Sequence, residues 1–203
     1  MEQRIEKVLK NLGKRNISAK FFKTKEETRE AILKEIKEEM SVGIGGSMSV
    51  KELNLYEDLI KAGNQVHWHW LSEPSKMSET RRIAATSDIY LTGTNAITED
   101  GELINIDGVG NRVASMFYGP QKVIVICGIN KICSDLISAI DRIKNEACSK
   151  NANRLNLKTP CAVTGQCTDC QSPERMCNIT TIISGRPMEI DLQVYIVGEK
   201  LGF

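Results

Sequence analysis

The sequence has almost no net charge. Its 27 Lys and Arg residues are offset by 26 Asp and Glu, leaving +1. Such a balance gives no long-range field toward polyanions, so neither nucleic acid nor an anionic membrane is expected as a partner. Long apolar runs are missing as well. The longest, Val123 to Cys127, falls far short of the ~20 residues that cross a bilayer. The opening residues, Met-Glu-Gln-Arg-Ile-Glu-Lys-Val-Leu-Lys, alternate charges with no apolar stretch, unlike a secretory signal. A cytoplasmic protein is therefore expected. Histidine is scarce: His67 and His69 are the only two. They fall on one face of a candidate strand, expected to point to solvent. With no third ligand nearby, they build neither a metal site nor a Ser/His/Asp or Cys/His assembly. No repeat or low-complexity tract is present.

What remains is an ordinary globular composition. Over 203 residues, 41% are apolar and 26% charged, enough for one domain with a substantial core and too apolar for disorder. Residues 1–15 read as an amphipathic helix with Ile5, Val8, Leu9 and Leu12 on one face. A second helix starts near Thr24, where Thr24 and Glu27 have capping-box spacing. A strand at Ser41 to Ile44 runs into Gly45-Gly46-Ser47-Met48-Ser49. Ser49 and Glu52 again suggest a cap, with the helix running to Gly63-Asn64. Val66, Trp68 and Trp70 alternate with Gln65, His67 and His69, which is strand periodicity. Asp88 to Leu91 is a further strand, followed by a hairpin turning at Glu99-Asp100-Gly101. Val123 to Cys127 suits a strand buried on both faces. Residues 131–148 read as a helix with Ile132, Leu136, Ile140 and Ile143 on one side, 149–160 as a polar linker, and Ile179–Ile183 and Leu192–Val197 as closing strands. Strand, glycine turn and helix in succession imply a parallel α/β arrangement.

Three polar segments are candidates for a ligand site. Gly45, Gly46, Ser47 and Ser49 form a glycine turn before a helix, where free N–H groups suit phosphate or carboxylate. The segment lacks the Walker Gly-Lys-Ser/Thr and is no dinucleotide fingerprint, so a plain strand-to-helix turn stands beside that reading. Thr92, Gly93, Thr94 and Asn95 follow a strand, where an α/β crevice would lie, or else form a local turn. Asp107, Gly108, Gly110, Asn111 and Arg112 offer a carboxylate, a flexible backbone and a guanidinium. Arg112 could clamp an anion and Asp107 act as a base, or the two could simply pair with each other. Glu99 is a further acid/base candidate.

Seven cysteines are many for a reducing compartment, where clusters are more often metal-binding or catalytic. Cys161, Cys167, Cys170 and Cys177 follow the pattern Cys-x5-Cys-x2-Cys-x6-Cys. Four soft thiolates fill a tetrahedral zinc site or ligate a [4Fe–4S] cluster, although the spacing matches neither a ferredoxin run nor a zinc ribbon. Free thiols, or a redox dithiol at Cys167 and Cys170, are the alternatives. Cys127, Cys133 and Cys148 read as small buried hydrophobes.

The segments Gly43-Ile44-Gly45-Gly46-Ser47-Met48-Ser49, Thr92-Gly93-Thr94-Asn95, Ile104-Asn105-Ile106-Asp107-Gly108 and Gly110-Asn111-Arg112-Val113-Ala114 together resemble the LUD-domain (lactate utilisation, formerly DUF162) family. The tail from Thr159-Pro160-Cys161 to Cys177-Asn178 resembles a cysteine-bearing subgroup. The resemblance spans essentially the whole chain. It implies a Rossmann-like α/β sheet of the sugar-isomerase/CoA-transferase type: an α/β domain over 1–158, with a small cysteine-containing extension, 159–203, packed on it. The Gly45–Ser49 turn is similar to the phosphate-binding turn of ribose-5-phosphate isomerases. The family includes a component of bacterial L-lactate oxidation that works beside iron–sulfur partner subunits. That component lacks such a cysteine tail, a departure that puts direct transfer of its role in doubt. The resemblance thus implies a 2-hydroxy-acid oxidation subunit with a small anionic ligand, and a homo-oligomer at the superfamily level. A sugar-phosphate isomerase-like or CoA-transferase-like enzyme and a non-catalytic regulatory subunit are the other readings.

Overall fold

The computed structural model describes residues 2–203. Among these residues ten strands form two sheets: β1 (Ser18–Phe22), β2 (Ser41–Ile44), β3 (Gln65–Trp68), β4 (Ile89–Gly93), β5 (Ala96–Thr98), β6 (Leu103–Asp107), β7 (Lys122–Gly128), β8 (Ile132–Cys133), β9 (Ile179–Ile183) and β10 (Asp191–Val197). The larger sheet has the order β1-β10-β7-β4-β2-β3 with every pair parallel, and the smaller one β8-β5-β6-β9. A Rossmann-like α/β architecture is what the glycine turns and the β-branched run imply.

Strand periodicity builds the core. Along β7, Val123, Val125 and Cys127 face one layer while Ile124 and Ile126 face the other. β10 repeats this, with Leu192, Val194 and Ile196 against Tyr195 and Val197. Both strands are buried on both faces, which explains their near-continuous apolar runs. The first layer is covered by helix α1 (Glu2–Lys14) through Ile5, Val8 and Leu12, together with the hairpin residues Ile97 and Leu103. The second is covered by α2 (Lys25–Glu35), α3 (Met48–Glu52) and α4 (Tyr56–Lys61). Helix α5 (Met77–Ala84) lies directly on β2, because a Cβ on Gly43 would stand only 2.2 Å from the Ala84 carbonyl oxygen.

Several sequence expectations change. The helix expected from Ser49 to Gly63 is two pieces, because Asn54 takes a left-handed conformation (φ 49°) between them. Ser47, not Ser49, caps α3 by accepting from the Val50 N–H. The strand expected through Trp70 ends at Trp68, and His69 opens a 3-10 turn. The helix expected at 131–148 starts later. Ile132 joins a strand against Ile97, and Asp135 forms a capping box with Ser138 to open α7 (Leu136–Arg142) after a short α6 (Asn111–Ala114) earlier in the chain. The helix continues through a π-helical stretch, Ile143–Cys148, into α8 (Ser149–Arg154). The supposed polar linker is therefore half helix. Of the two closing strands, β9 ends the small sheet while β10 lies between β1 and β7 in the large one. The stretch 159–203 thus begins with α9 (Pro160–Thr164) and the cysteine loop and finishes inside the main sheet.

A polar clamp fixes α2 to the sheet. Glu35, at the end of α2, accepts from Lys122 Nζ of β7 (2.6 Å), Tyr195 OH of β10 (2.5 Å) and Lys20 Nζ of β1 (3.3 Å). Burial alone would raise this carboxyl, but the bonds from Lys122, Tyr195 and Lys20 outweigh it and bring it down to about 2. A carboxyl depressed in the folded state stabilises it above the unfolded value and loses that contribution as pH falls. The fold therefore loses stability from about pH 4.5 down to about 2 on this account. Glu35→Gln should flatten that acid limb in chemical denaturation, and cost about 1–2 kcal/mol at pH 7.

Candidate functional site

A doubly wound sheet has its ligand crevice where the strand order reverses direction. From β2 the chain moves outward to β3; from β4 it moves the other way, to β7 and β10. The reversal lies between β2 and β4. Beyond their C-terminal ends sit Gly45-Gly46-Ser47 and Thr94-Asn95, the latter directly after Gly93, where β4 ends. A cleft of about 560 Å³ opens there, also walled by His69, Trp70, Asp107, Arg112, Lys131 and Cys148.

Arg112 organises one wall. It is 7% exposed, and each of its five N–H hydrogens has an acceptor. Nε donates to Asp107 Oδ2 (3.1 Å), one terminal nitrogen to Asn105 Oδ1 (2.6 Å) and Gly93 O (3.2 Å), and the other to Asn95 Oδ1 (3.0 Å) and Ile106 O (2.9 Å). These acceptors belong to β4, the link after it, and β6. Arg112 therefore joins the two sheets. A Cβ on Gly45 would lie 2.9 Å from Tyr90 OH and 3.2 Å from Arg112 Cγ. Asp107 is equally committed, its Oδ1 taking the N–H groups of Val109 (3.1 Å) and Gly110 (2.7 Å). The internal Asp–Arg pair is the arrangement observed. Asn111 and Gly108 stand on the cleft lining.

Lys131, which sequence reasoning did not single out, is the cation left over. It is 3% exposed, in the turn after β7. Its Nζ donates to Ser49 Oγ (2.7 Å) and Thr94 O (3.1 Å), and no carboxylate pairs with it among the described residues. Glu52, the acid in its field, accepts from Gly202 N instead (3.1 Å). Burial, with Arg142 and Arg112 adding to it, lowers its ammonium to about 8. Arg142 is also buried, bonding Asn130 O (2.9 Å) and Asn95 O (2.7 Å). Of these three buried cations only Arg112 has a carboxylate paired with it among the described residues. Lys51, Arg81 and Arg154 line the same cleft, Arg154 lying over the Trp70 ring at 4.7 Å. Thr92 is buried in β4 under the crevice floor. Ser47 and Ser49 crowd Gly93, whose Cβ would meet Ser47 Oγ at 2.5 Å.

Glu99 lies away from this site. It binds Arg4 Nε (2.6 Å) and Lys7 Nζ (2.8 Å), and these pairs, Lys7 first, hold its carboxyl below the usual range. Its work is to fasten α1 to the hairpin. His69 was expected in solvent but is 5% exposed and lines the cleft.

Cys161, Cys167, Cys170 and Cys177, each partly exposed and in no disulfide, lie on α9 and the loop after it. Arg175 braces this loop through the carbonyls of Cys170 (2.8 Å) and Cys177 (3.2 Å), and Asn145 Oδ1 accepts from Cys167 N (3.0 Å). As soft donors the four suit a thiophilic metal. Among the described residues no three His, Cys, Asp or Glu side chains converge on one ion position, so the loop must draw its sulfurs together to close on one. Cys148 belongs to this neighbourhood. Burial first, then Cys177, Cys161 and Cys167 nearby, push its thiol up to about 12. It also lines the cleft beside Met176. Its place in an apolar helix pattern gave no hint of this.

Arg112→Ala should cost about 3–5 kcal/mol in chemical denaturation, because it strands Asp107 and four further acceptors. Arg112→Lys should recover little, since an ammonium offers three donors without the planar fork.

None of the curated proteins matches the sequence significantly. A crystal structure of a DUF162 family protein from Deinococcus radiodurans is similar in fold, with a TM-score of 0.56 at 12% identity, covering 97% of each chain. The LUD domain matches residues 5–197. The chain belongs to the LUD domain family.

Proposed function

We propose that this is a lactate-utilisation-type protein that binds a small 2-hydroxy carboxylate in the cleft, as a subunit of a 2-hydroxy-acid oxidation system. The observation that carries this reading is Lys131: a buried cation at a cleft, without a carboxylate of its own. Burying a lone charge is costly, and an anionic ligand is the partner that repays it. Arg112 acts here by positioning. Its donors are spent on the protein, so it holds Asn95 and the Gly93 carbonyl in place.

The cysteine segment fits the same role. Cys161, Cys167, Cys170 and Cys177 would hold an iron–sulfur cluster, which supplies an electron relay, or zinc, which supplies a structural clamp. Cys148 and Met176 stand between that segment and the cleft, so a centre there would border the ligand.

A sugar-phosphate isomerase-like or CoA-transferase-like activity is the second reading. The cleft volume of about 560 Å³ and the cationic Lys51, Arg81 and Arg154 favour it, since a three-carbon acid needs less room. Against it, both oxygens of Asp107 are engaged, so the carboxylate expected to act as acid/base is spent on the protein.

Two measurements test the proposal. L-Lactate should raise the melting temperature, since a ligand that binds the native state stabilises it. Lys131→Met should abolish the shift. Binding should also weaken as pH rises through about 8, where Lys131 loses its proton. A larger shift with sugar phosphates or CoA thioesters, and none with lactate, would move the assignment to the second reading. Protein purified anaerobically should carry iron and sulfide, or zinc, and Cys167→Ser with Cys170→Ser should lose them. Metal-free wild-type protein would return the cysteines to thiol chemistry or packing.

A further inference from the structure

The cleft holds more positive charge than one small acid offsets. Its lining includes Lys51, Arg81, Arg112, Lys131 and Arg154 but a single carboxylate, Asp107. Asp107 pairs with Arg112. Among the described residues no carboxylate pairs with Lys51, Arg81, Lys131 or Arg154. Lactate carries one negative charge and would answer only one of these four.

Arg154 is the exposed cation whose direction is fixed. Asn151 Oδ1 accepts from its Nε (3.0 Å) and from one terminal nitrogen (2.6 Å), and the guanidinium lies 4.7 Å from the centre of the Trp70 ring. Both partners are neutral, so they orient the charge without offsetting it. Two of its five N–H hydrogens go to Asn151, which leaves three for a ligand. Trp70 is itself stacked on Trp68, with ring centroids 5.7 Å apart, and its Nε1 stands 3.4 Å from where a Cβ on Gly46 would lie. Arg154 is thus stationed at the Gly46 end of the turn into α3. Lys131 is at the other end, 2.7 Å from Ser49 Oγ. Gly46 and Ser49 are three residues apart, so their Cα atoms lie at most about 11 Å from each other. The carboxylate and hydroxyl of lactate sit on adjacent carbons, too close together to serve both ends. A second anionic group a few bonds further along the ligand would serve the far one.

We propose that the cleft takes a phosphorylated 2-hydroxy acid, with its carboxylate on Lys131 and its phosphate on Arg154, inside the positive field of Arg81 and Lys51. This rests on the reading of Lys131 as the carboxylate site and names the other end of the ligand. A phosphate monoester is close to a dianion at neutral pH. It therefore suits several unpaired cations better than a second carboxylate does. Its oxygens also match the planar N–H fork of a guanidinium.

Calorimetric titration with 3-phospho-D-glycerate, D-glycerate, L-malate and inorganic phosphate tests this on the wild-type chain and on Arg154→Gln, Arg154→Lys and Lys131→Met. Wild-type protein should bind phosphoglycerate at least about tenfold more tightly than D-glycerate, and more tightly than malate or inorganic phosphate. That advantage should shrink as ionic strength rises. Arg154 is exposed, so its replacement leaves the core intact. Arg154→Gln should remove most of the advantage while D-glycerate affinity stays within about twofold. Arg154→Lys should keep part of it, since a point charge remains without the fork. Lys131→Met should weaken both glycerates alike. Equal wild-type affinity for the two glycerates, tighter binding of malate, or an advantage that persists in Arg154→Gln overturns the inference and leaves the carboxylate site standing. Phosphoglycerate binding that Lys131→Met leaves unchanged, inorganic phosphate bound as tightly as phosphoglycerate, or no binding of any of the four overturns the inference together with the reading it rests on.

Discussion

Arg112 is the tie on which the site depends. A planar guanidinium with five donors meets five acceptors drawn from β4, from the link after it, and from β6. It acts beside Thr94, whose hydroxyl donates to the Ile104 carbonyl, and Asn95, whose Oδ1 accepts from the Ile106 N–H. Much follows from that geometry. A side chain at Gly45 would run into the Tyr90 hydroxyl first, and then into Thr92 and the arginine stem. Asp107 must be acidic to balance the charge, and its other oxygen closes the turn that starts α6. Asn105 and Asn95 are amides because each accepts from Arg112 while also ordering backbone nearby. The cluster is a fully used network, and such networks specify one arrangement rather than adding much net stability.

The same saturation leaves Arg112 no donor for a further partner. A guanidinium whose every hydrogen is spent cannot grip a substrate without breaking the joint between the sheets. Lys131 has no such commitment to an acid. It reaches the crevice from the turn after the central strand, where β7 runs deepest through the core. Its two bonds, to Ser49 and to the Thr94 carbonyl, tie together the two turns flanking the point where strand order reverses. Fold and chemistry therefore meet at one place: the crevice that doubly wound topology creates is the one into which an uncompensated cation is set.

The parts of the fold legible in the sequence were those with strong local signals. Val123 to Cys127 could hardly be other than a buried strand, and α1, β2 and the hairpin at Gly101 declared themselves by periodicity and turn residues. Boundaries near helix-like apolar spacing misled. Ile132 and Leu136 share a helical interval, yet one packs in a strand and the other is 37% exposed. Ser49 has capping-box spacing, but the chain uses Ser47, leaving Ser49 free to take Lys131. The polar segments around Gly45, Thr94 and Asp107 meet at one cleft. What could not be read was the division of labour among them. A lone Lys in a Gly-Ile-Asn-Lys turn carries no local mark of burial. His69 hid inside an alternating pattern that stops one residue before it. Cys148 looked like helix packing because the loop it faces lies more than ten residues further on.

The most direct check is a crystal structure of the protein soaked with L-lactate. The account predicts a carboxylate bound within hydrogen-bond distance of Lys131 Nζ, beyond the ends of β2 and β4, with the Arg112 network undisturbed. Lactate bound instead through Arg112, with the Asp107 pair broken, would contradict it, as would a cleft that stays free of lactate.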